Sequence, residues 1–536
     1  QQLRQNKRGY RFYGHVDVHD MERGLFWFTD NAAGWHQSKE NSAIRLIRRE
    51  DGAVVLQLNL VAEPVKYAEK RPIIFAIIPH PARPMPDKYR LYDRVTPEKD
   101  DMACSVFDAF RPWPMNPKAG TMKIYPKNHS WEYAESCVPI MKSAKPVGYR
   151  TMYLSLKWMS CRAGAYDHWE WRSGQRGAVS LTPSFVDYLC WEMNEWIGRD
   201  IFNAVYLDEA YEEPLRNLEA GMSVKLPDGS EQPGVDNFRF RELMKRWYGL
   251  FATHDKTPML LAHHTYSFQY PGLLYTQAYL DGENAPIVSL KSRDWIGSTS
   301  KHRFETIQNG QLWGMTPFYM PYISEGGFSS EKDEFPVWQW RMARQAQSQF
   351  AHYEVATVYE GQGSGVYKKY WSDVLGWTAS DPDDVPFRPY WNNGEFLQVD
   401  GQGDHTLVSF YQKPQKILLI ASNRQKQKRI VRIELDADRL GLSSPLSVRH
   451  LDSSFERPPG KDYRPHTEET EEETEKLLES EGDLLGGDGG EETAEEMLLG
   501  DEGMEKKKRE GLRPRLEGNV LILPIRPRDF RMVEVK

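Results

Sequence analysis

The chain lacks the features that mark several large classes of protein. It contains no run of roughly eighteen apolar residues, so nothing in it reads as a membrane-spanning helix. Its four cysteines, Cys104, Cys137, Cys161 and Cys190, have neither CxxC nor finger spacing. That excludes a zinc ribbon and leaves buried thiols as the expected state. Positive charge is not in excess, for 69 Lys and Arg stand against 77 Asp and Glu, a net charge of -8. Nucleic acid is therefore not expected as a partner, because phosphate recognition needs clustered cations. The glycine-rich stretch 361–365 lacks the Gly-Lys-Ser/Thr ending of a phosphate loop and reads as a flexible turn. No dinucleotide fingerprint follows the first strand, which disfavours a doubly wound nucleotide-binding fold. The chain opens on Gln1 without Met or a signal pattern, so it reads as a piece of something longer.

Aromatic residues, in contrast, are plentiful: 17 Trp, 27 Tyr and 22 Phe in 536 residues. Most belong to the cores and interfaces of the two or three domains that this length implies. Aromatic rings also stack on the C–H faces of sugars, so the composition is compatible with a glycan site.

Residues 1–88 read as the N-terminal portion of a β-sandwich. Strands are expected at 53–61, entered by the Asp51-Gly52 turn, and at 72–79, closed by proline. The proline-rich stretch from Pro79 to Pro86 reads as a linker. From about 100 to 380 short apolar runs alternate with amphipathic segments. Strands are expected at 149–158, 204–207, 258–262, 273–280, 314–320 and 354–359. Helices are expected at 184–198, with a serine cap, and at 238–254. Buried strands separated by helices mean a parallel sheet, and so many units in this length suit a closed (β/α)8 (TIM) barrel of the α/β class. Residues 390–536 return to strands at 406–411, 416–421, 429–435, 519–524 and 530–535, a C-terminal β-sandwich. It is interrupted at about 467–509 by a Glu-rich insert expected to be disordered or partly helical.

The ends of barrel strands are where chemistry is sought. Three stand out: Tyr206-Leu-Asp208-Glu209, His263-His264 followed by Tyr266, and Tyr279-Leu-Asp281-Gly-Glu283. Alternation places Tyr206 with Asp208 and Tyr279 with Asp281, so carboxylates from two strands are expected to converge over the barrel mouth. A single such acid can equally be a helix N-cap or first-turn residue. Two acidic strand ends with a histidine pair between them favour a site. His263 and His264 are adjacent and poorly spaced for a metal, so neither metal nor cofactor is expected. They suit a hydrogen bond to substrate or packing at the barrel top. Trp158 and Trp313 are the candidate sugar platforms.

The phrase from Gly24 to Trp35, Gly-Leu-Phe-Trp-Phe-Thr-Asp-Asn-Ala-Ala-Gly-Trp, and Pro81-Ala-Arg-Pro-Met-Pro86 resemble the N-terminal region of glycoside hydrolase family 123-like proteins, many of them bacterial. The resemblance extends from about residue 20 to the C-terminal strands. It implies a sandwich, barrel, sandwich architecture and an oligosaccharide or polysaccharide substrate met in a secreted or periplasmic setting. It also implies retaining β-N-acetylhexosaminidase chemistry of the N-acetylgalactosamine type. The family's consecutive Asp-Glu pair matches Asp208-Glu209. On that match Glu209 protonates the departing oxygen, and Asp208 holds the 2-acetamido group that attacks its own anomeric carbon. Neighbouring carboxylates repel, which fits one acid staying protonated while the other is anionic. Tyr206, Tyr266 and Tyr279 are candidates to bond the acetamido group or the ring hydroxyls. Asp281 and Glu283 exceed what this scheme requires. They leave open a conventional retaining glycosidase with Asp208 as nucleophile and Asp281 or Glu283 as acid. A non-catalytic glycan-binding barrel is the third reading, whose mark is a missing or salt-bridged carboxylate.

Overall fold

The computed structural model describes residues 12–91, 151–155, 180–357, 364–378, 385–451 and 513–536, with short breaks at 13, 38–40, 67–68, 88, 201–202, 211–213, 227–228, 265–267, 284–293, 322 and 324–336. The acidic insert and Cys104, Cys137 and Cys161 lie outside the described residues; Cys190 is a buried free thiol. The chain divides into two compact units, one of 1–86, 104–281 and 310–316, the other of 87–103, 282–309 and 317–536.

In the first unit β1 (His15–His19), β2 (Gly24–Phe28) and β5 (Ala76–His80) form an antiparallel sheet in the order β1-β2-β5. A hairpin of β3 (Ile44–Arg48) and β4 (Val54–Leu58) shares their core around Trp27, Trp35 and Ile44. The expected strand at 72–79 begins later, at Ala76. This module docks on the rest of its unit through Val235 N–H to the Asp30 carbonyl (2.6 Å) and Phe28 against Phe238.

Four parallel strands follow: β6 (Thr151–Ser155), β7 (Ala204–Asp208), β10 (Leu260–His263) and β11 (Ala278–Asp281). A two-residue ribbon, β8 (Val224–Lys225) with β9 (Glu231–Gln232), lies between β7 and β10 in the chain. Neighbouring strands follow chain order, β6-β7-β10-β11, with no switch point. That is the single winding of a (β/α)8 barrel rather than a doubly wound sheet. Every described side chain of these strands is buried except Asp208, the last residue of β7. The segment 273–280 is not all strand. Tyr270–Leu273 forms the short helix α3, because Gly272 lets its backbone press on Phe240. A β-carbon at Gly272 would sit 2.1 Å from that ring.

Helix α1 (Pro183–Gly198) starts at Thr182, not at a serine. Pro183 fits the first helical position, so the residue before it caps, and the Thr182 hydroxyl accepts from Phe185 N–H at 3.3 Å. Phe185, Leu189, Met193 and Trp196 recur at helical spacing and face inward. Helix α2 (Asn237–Thr253) buries Phe240, Leu243, Met244, Trp247 and Phe251 in the same way. Arg246 bonds Asp187 at 2.6 Å and His254 bonds Asn194 at 2.9 Å, tying the two helices side by side.

The second unit contains α4 (Trp295–Ser298), α5 (Lys301–Thr306) and, from Pro317 on, a parallel pair, β12 (Thr316–Tyr319) with β13 (Ala356–Thr357). The helix α6 (Gly310–Trp313) belongs to the first unit. Helices α7 (Val337–Phe350) and α8 (Ser364–Thr378) precede the C-terminal strands. These form two antiparallel sheets. One has β14 (Phe387–Arg388), β16 (Thr406–Lys413), β17 (Lys416–Asn423), β22 (Asp529–Val535) and β19 (Val448–His450), in the order β14-β16-β17-β22-β19. The other has β15 (Leu397–Val399), β18 (Arg429–Leu435), β21 (Val520–Ile525) and β20 (Arg515–Glu517). Val408, Phe410, Leu419, Ile433 and Leu523 make the core between them. The expected C-terminal sandwich is therefore present. The expected boundary near 380–390 is not where the units divide, because Tyr370, Trp371 and Val374 of α8 pack on Leu418 and Ile420 of this sandwich.

His352 joins the same packing, fully buried between the hydroxyls of Ser409 (2.8 Å) and Ser422 (2.7 Å). Burial, with the Arg424 charge, lowers its pKa from 6.5 to about 3. The unfolded chain thus takes up this proton first. The contribution is complete above about pH 6.5 and is lost as pH falls toward 3, at about 1.4 kcal/mol per pH unit. The loss of melting temperature between pH 7 and 5 should therefore be smaller in His352→Gln than in the parent. Equal losses in thermal scans would show that His352 is not the acid-sensitive group.

Candidate active site

β7 ends on the sequence Tyr206-Leu207-Asp208-Glu209, where an apolar strand meets two acids. Asp208 is one-fifth exposed at its side chain, while His263 beside it is 3% exposed. The Nδ1 of His263 lies 2.8 Å from Asp208 Oδ1 and 2.9 Å from the Tyr206 hydroxyl. One ring nitrogen offers either one hydrogen or one lone pair. A carboxylate only accepts, so Nδ1 carries the hydrogen and donates it to Asp208, with the Tyr206 oxygen sharing it. This bond fixes the tautomer and the orientation of the carboxylate together.

Glu209 breaks the strand. Its φ is +55°, in the left-handed region that a glutamate seldom adopts. In a regular ladder the Glu209 N–H would reach the His263 carbonyl. Instead the next residue does so, Ala210 N–H to His263 O at 2.7 Å, and the Glu209 N–H turns to Asp208 Oδ1 at 2.8 Å. The strand thus gains one extra residue, a bulge, at the second acid. Successive residues of a strand point to opposite faces, so alternation alone would aim Asp208 and Glu209 apart. Bulges and left-handed non-glycine residues recur at sites where a side chain is re-aimed.

The convergence of Asp208 with Asp281 does not occur. Register pairs Leu207 with Ala262, and Ala262 with Tyr279. Paired residues share a face, so Leu207, Ala262, His264, Tyr279 and Asp281 occupy one face, and Tyr206, Asp208 and His263 the other. The contacts agree. His264 stacks on Tyr279 at 5.5 Å and meets Phe268 edge-on at 4.9 Å. Phe268 in turn packs on Trp313. Tyr279 and Trp313 are fully buried core residues, and burial, with the Asp281 charge, pushes the Tyr279 pKa well up. Neither presents an exposed ring face to a sugar, and His264 and Asp281, each 1% exposed, are not on the Asp208 face. Glu283 is exposed and belongs to the second unit, just past Gly282. Trp158 and Tyr266 lie outside the described residues. The sequence-level candidates that come together are therefore Tyr206, Asp208 and His263, with Glu209 joined to them through its backbone N–H. Among the described residues no group of three or more His, Cys, Asp or Glu could hold a metal ion.

No protein family and no curated protein matches the chain, so the likeness to family 123 rests on the residues quoted for it. Solved structures are distantly similar. A noncanonic maltogenic α-amylase from Thermotoga neapolitana is 9% identical with a TM-score of 0.39, over 75% of this chain and 80% of its own. A β-L-arabinopyranosidase of glycoside hydrolase family 27 from Geobacillus stearothermophilus is 8% identical with a TM-score of 0.36, over 72% and 74%. An α-amylase from Geobacillus thermoleovorans is 9% identical with a TM-score of 0.33, over 68% and 67%. Likeness at this level says nothing about activity.

Proposed function

We propose that this protein is a glycoside hydrolase, a retaining β-N-acetylhexosaminidase in which Asp208 and Glu209 assist a reaction of the substrate's own acetamido group. The observation that supports the reading is the left-handed backbone at Glu209, where the bond to the His263 carbonyl passes to Ala210 and strand alternation is interrupted just after Asp208. The Asp-Glu phrase is also the one the family resemblance points to. In the first step the acetamido oxygen attacks the anomeric carbon as the glycosidic C–O bond breaks. Glu209 passes its proton to the departing oxygen. Asp208, held by His263, accepts from the acetamido N–H and balances the positive charge of the cyclised ring. Water then opens the ring, returning its proton to Glu209 and restoring the configuration. A conventional pair of Asp208 as nucleophile with Asp281 as acid is not compatible with their placement on opposite faces of the sheet.

Asp208 is also paired with a buried histidine, and that favours a second reading, a glycan-binding barrel without turnover. Aryl glycosides separate the two. Hydrolysis of aryl N-acetyl-β-hexosaminides with little action on the matching plain hexosides is the expected result. Failure to turn over any aryl hexosaminide, with saccharide binding intact, would leave only the binding reading.

A further inference from the structure

Within the second unit, two turns that connect one C-terminal sheet to the other carry most of their cations to one place. The turn between β17 and β18 reads Arg424-Gln-Lys-Gln-Lys428, and the turn between β21 and β22 reads Arg526-Pro-Arg528. Arg528 N–H donates to the Gln425 carbonyl at 3.0 Å, joining the turns, and its backbone is left-handed at φ +52°. Beside them a cleft of about 280 Å³ opens toward α7. Among the described residues five cations line it against two carboxylates, in a chain whose net charge is negative.

The two acids are engaged locally. Asp529 bonds Arg344 at 2.7 Å, and Arg344 also reaches the Phe530 carbonyl at 2.9 Å, so this fully buried arginine is scaffolding. Asp294 caps α4 and meets Arg528 at 3.4 Å and Lys426 at 3.7 Å through its other oxygen. Among the described lining residues positive charge outnumbers negative, with Arg341 and Arg526 half-buried and Lys426 exposed at the rim. Beside the cleft, burial and, more weakly, the Arg528 charge lower the Arg424 pKa. Like charges held together by the fold, around a concave surface, favour an oxyanion. Guanidinium forks match its oxygens in pairs, which a solvated lysine patch does not.

We propose that this cleft binds an oxyanion group, sulfate, phosphate or carboxylate, on a ligand no larger than a sugar. The inference is independent of the catalytic reading. Calorimetric titrations of the full chain at low ionic strength would use inorganic sulfate, inorganic phosphate, glucuronate, and glucose as the neutral control. At least one anion should bind with unit stoichiometry, and the tightest identifies the source of the oxyanion. The double variant Arg341→Gln/Lys426→Gln, whose side chains lie at the rim, should weaken that anion about tenfold or more. Arg45→Gln, on exposed β3 in the other unit, should leave it unchanged. Absence of saturable binding by all three anions, or equal weakening in the Arg45 variant, would overturn the proposal.

Discussion

Replacing Glu209 with Gln is expected to lower turnover of substrates with poor leaving groups by about 10²–10⁴-fold, the usual worth of a positioned general acid. Activated aryl glycosides, whose leaving groups depart as anions, should be spared by comparison. The contrast between the two substrate classes carries the argument, since a merely damaged site would slow both. The left-handed backbone at Glu209 makes the substitution informative. Gln has the same shape and meets the same local strain, so kinetics should change and stability should not. Equal slowing of both substrate classes by Glu209→Gln would remove Glu209 from the acid role.

The second large effect concerns folding. Glu354 is almost wholly buried and accepts from three donors: Arg90 Nε at 2.7 Å, the Tyr89 hydroxyl at 2.7 Å and the Tyr411 hydroxyl at 3.0 Å. Desolvation opposes the Arg90 charge, but Glu354 and the two phenols outweigh it, so its pKa is raised. Glu354→Leu leaves a buried guanidinium without its counter-charge and two buried hydroxyls without their acceptor. A loss of about 3–5 kcal/mol is expected. Arg90→Met should cost less, because Glu354 keeps both tyrosine donors. Chemical denaturation of the two variants checks the order. If Arg90→Met proves the more harmful, Glu354 is not the centre of the network.

Much of this architecture can be read from the sequence where composition and period agree. The strand from Ala204 to Asp208 is legible because an apolar run stops at an acid, and α2 because Phe240, Leu243, Met244 and Trp247 recur at helical spacing. What alternation within one strand does not contain is the offset between strands. Tyr206 with Asp208 and Tyr279 with Asp281 do share faces in pairs. The pairing of Ala262 with both Leu207 and Tyr279 then puts the two acids on opposite faces. Nothing local encodes that offset. The bulge at Glu209 is likewise silent, for no glycine or asparagine marks the left-handed residue. The apolar stretch Leu273-Leu274 suggested a strand, but close packing of Gly272 on Phe240 holds the chain before it as a helical turn. Trp313 reads as a platform from its place beside an expected barrel strand. Its surroundings, His80, Phe268 and Tyr270, make it core. The basic turns at 424–428 and 526–528 lie about a hundred residues apart, and only the hydrogen bond from Arg528 to Gln425 shows that they meet.

The central claim is that Asp208 and Glu209 assist a reaction of the substrate's acetamido group rather than form an ester themselves. Inhibition by a thiazoline mimic of the cyclised intermediate tests it most directly, because ligands resembling a transition state bind far more tightly than substrate. The account predicts inhibition well below the substrate KM, weakened in Asp208→Asn, with no covalent adduct when a fluorosugar probe is followed by mass spectrometry. A fluorosugar ester trapped on Asp208, with the thiazoline inert, would contradict it.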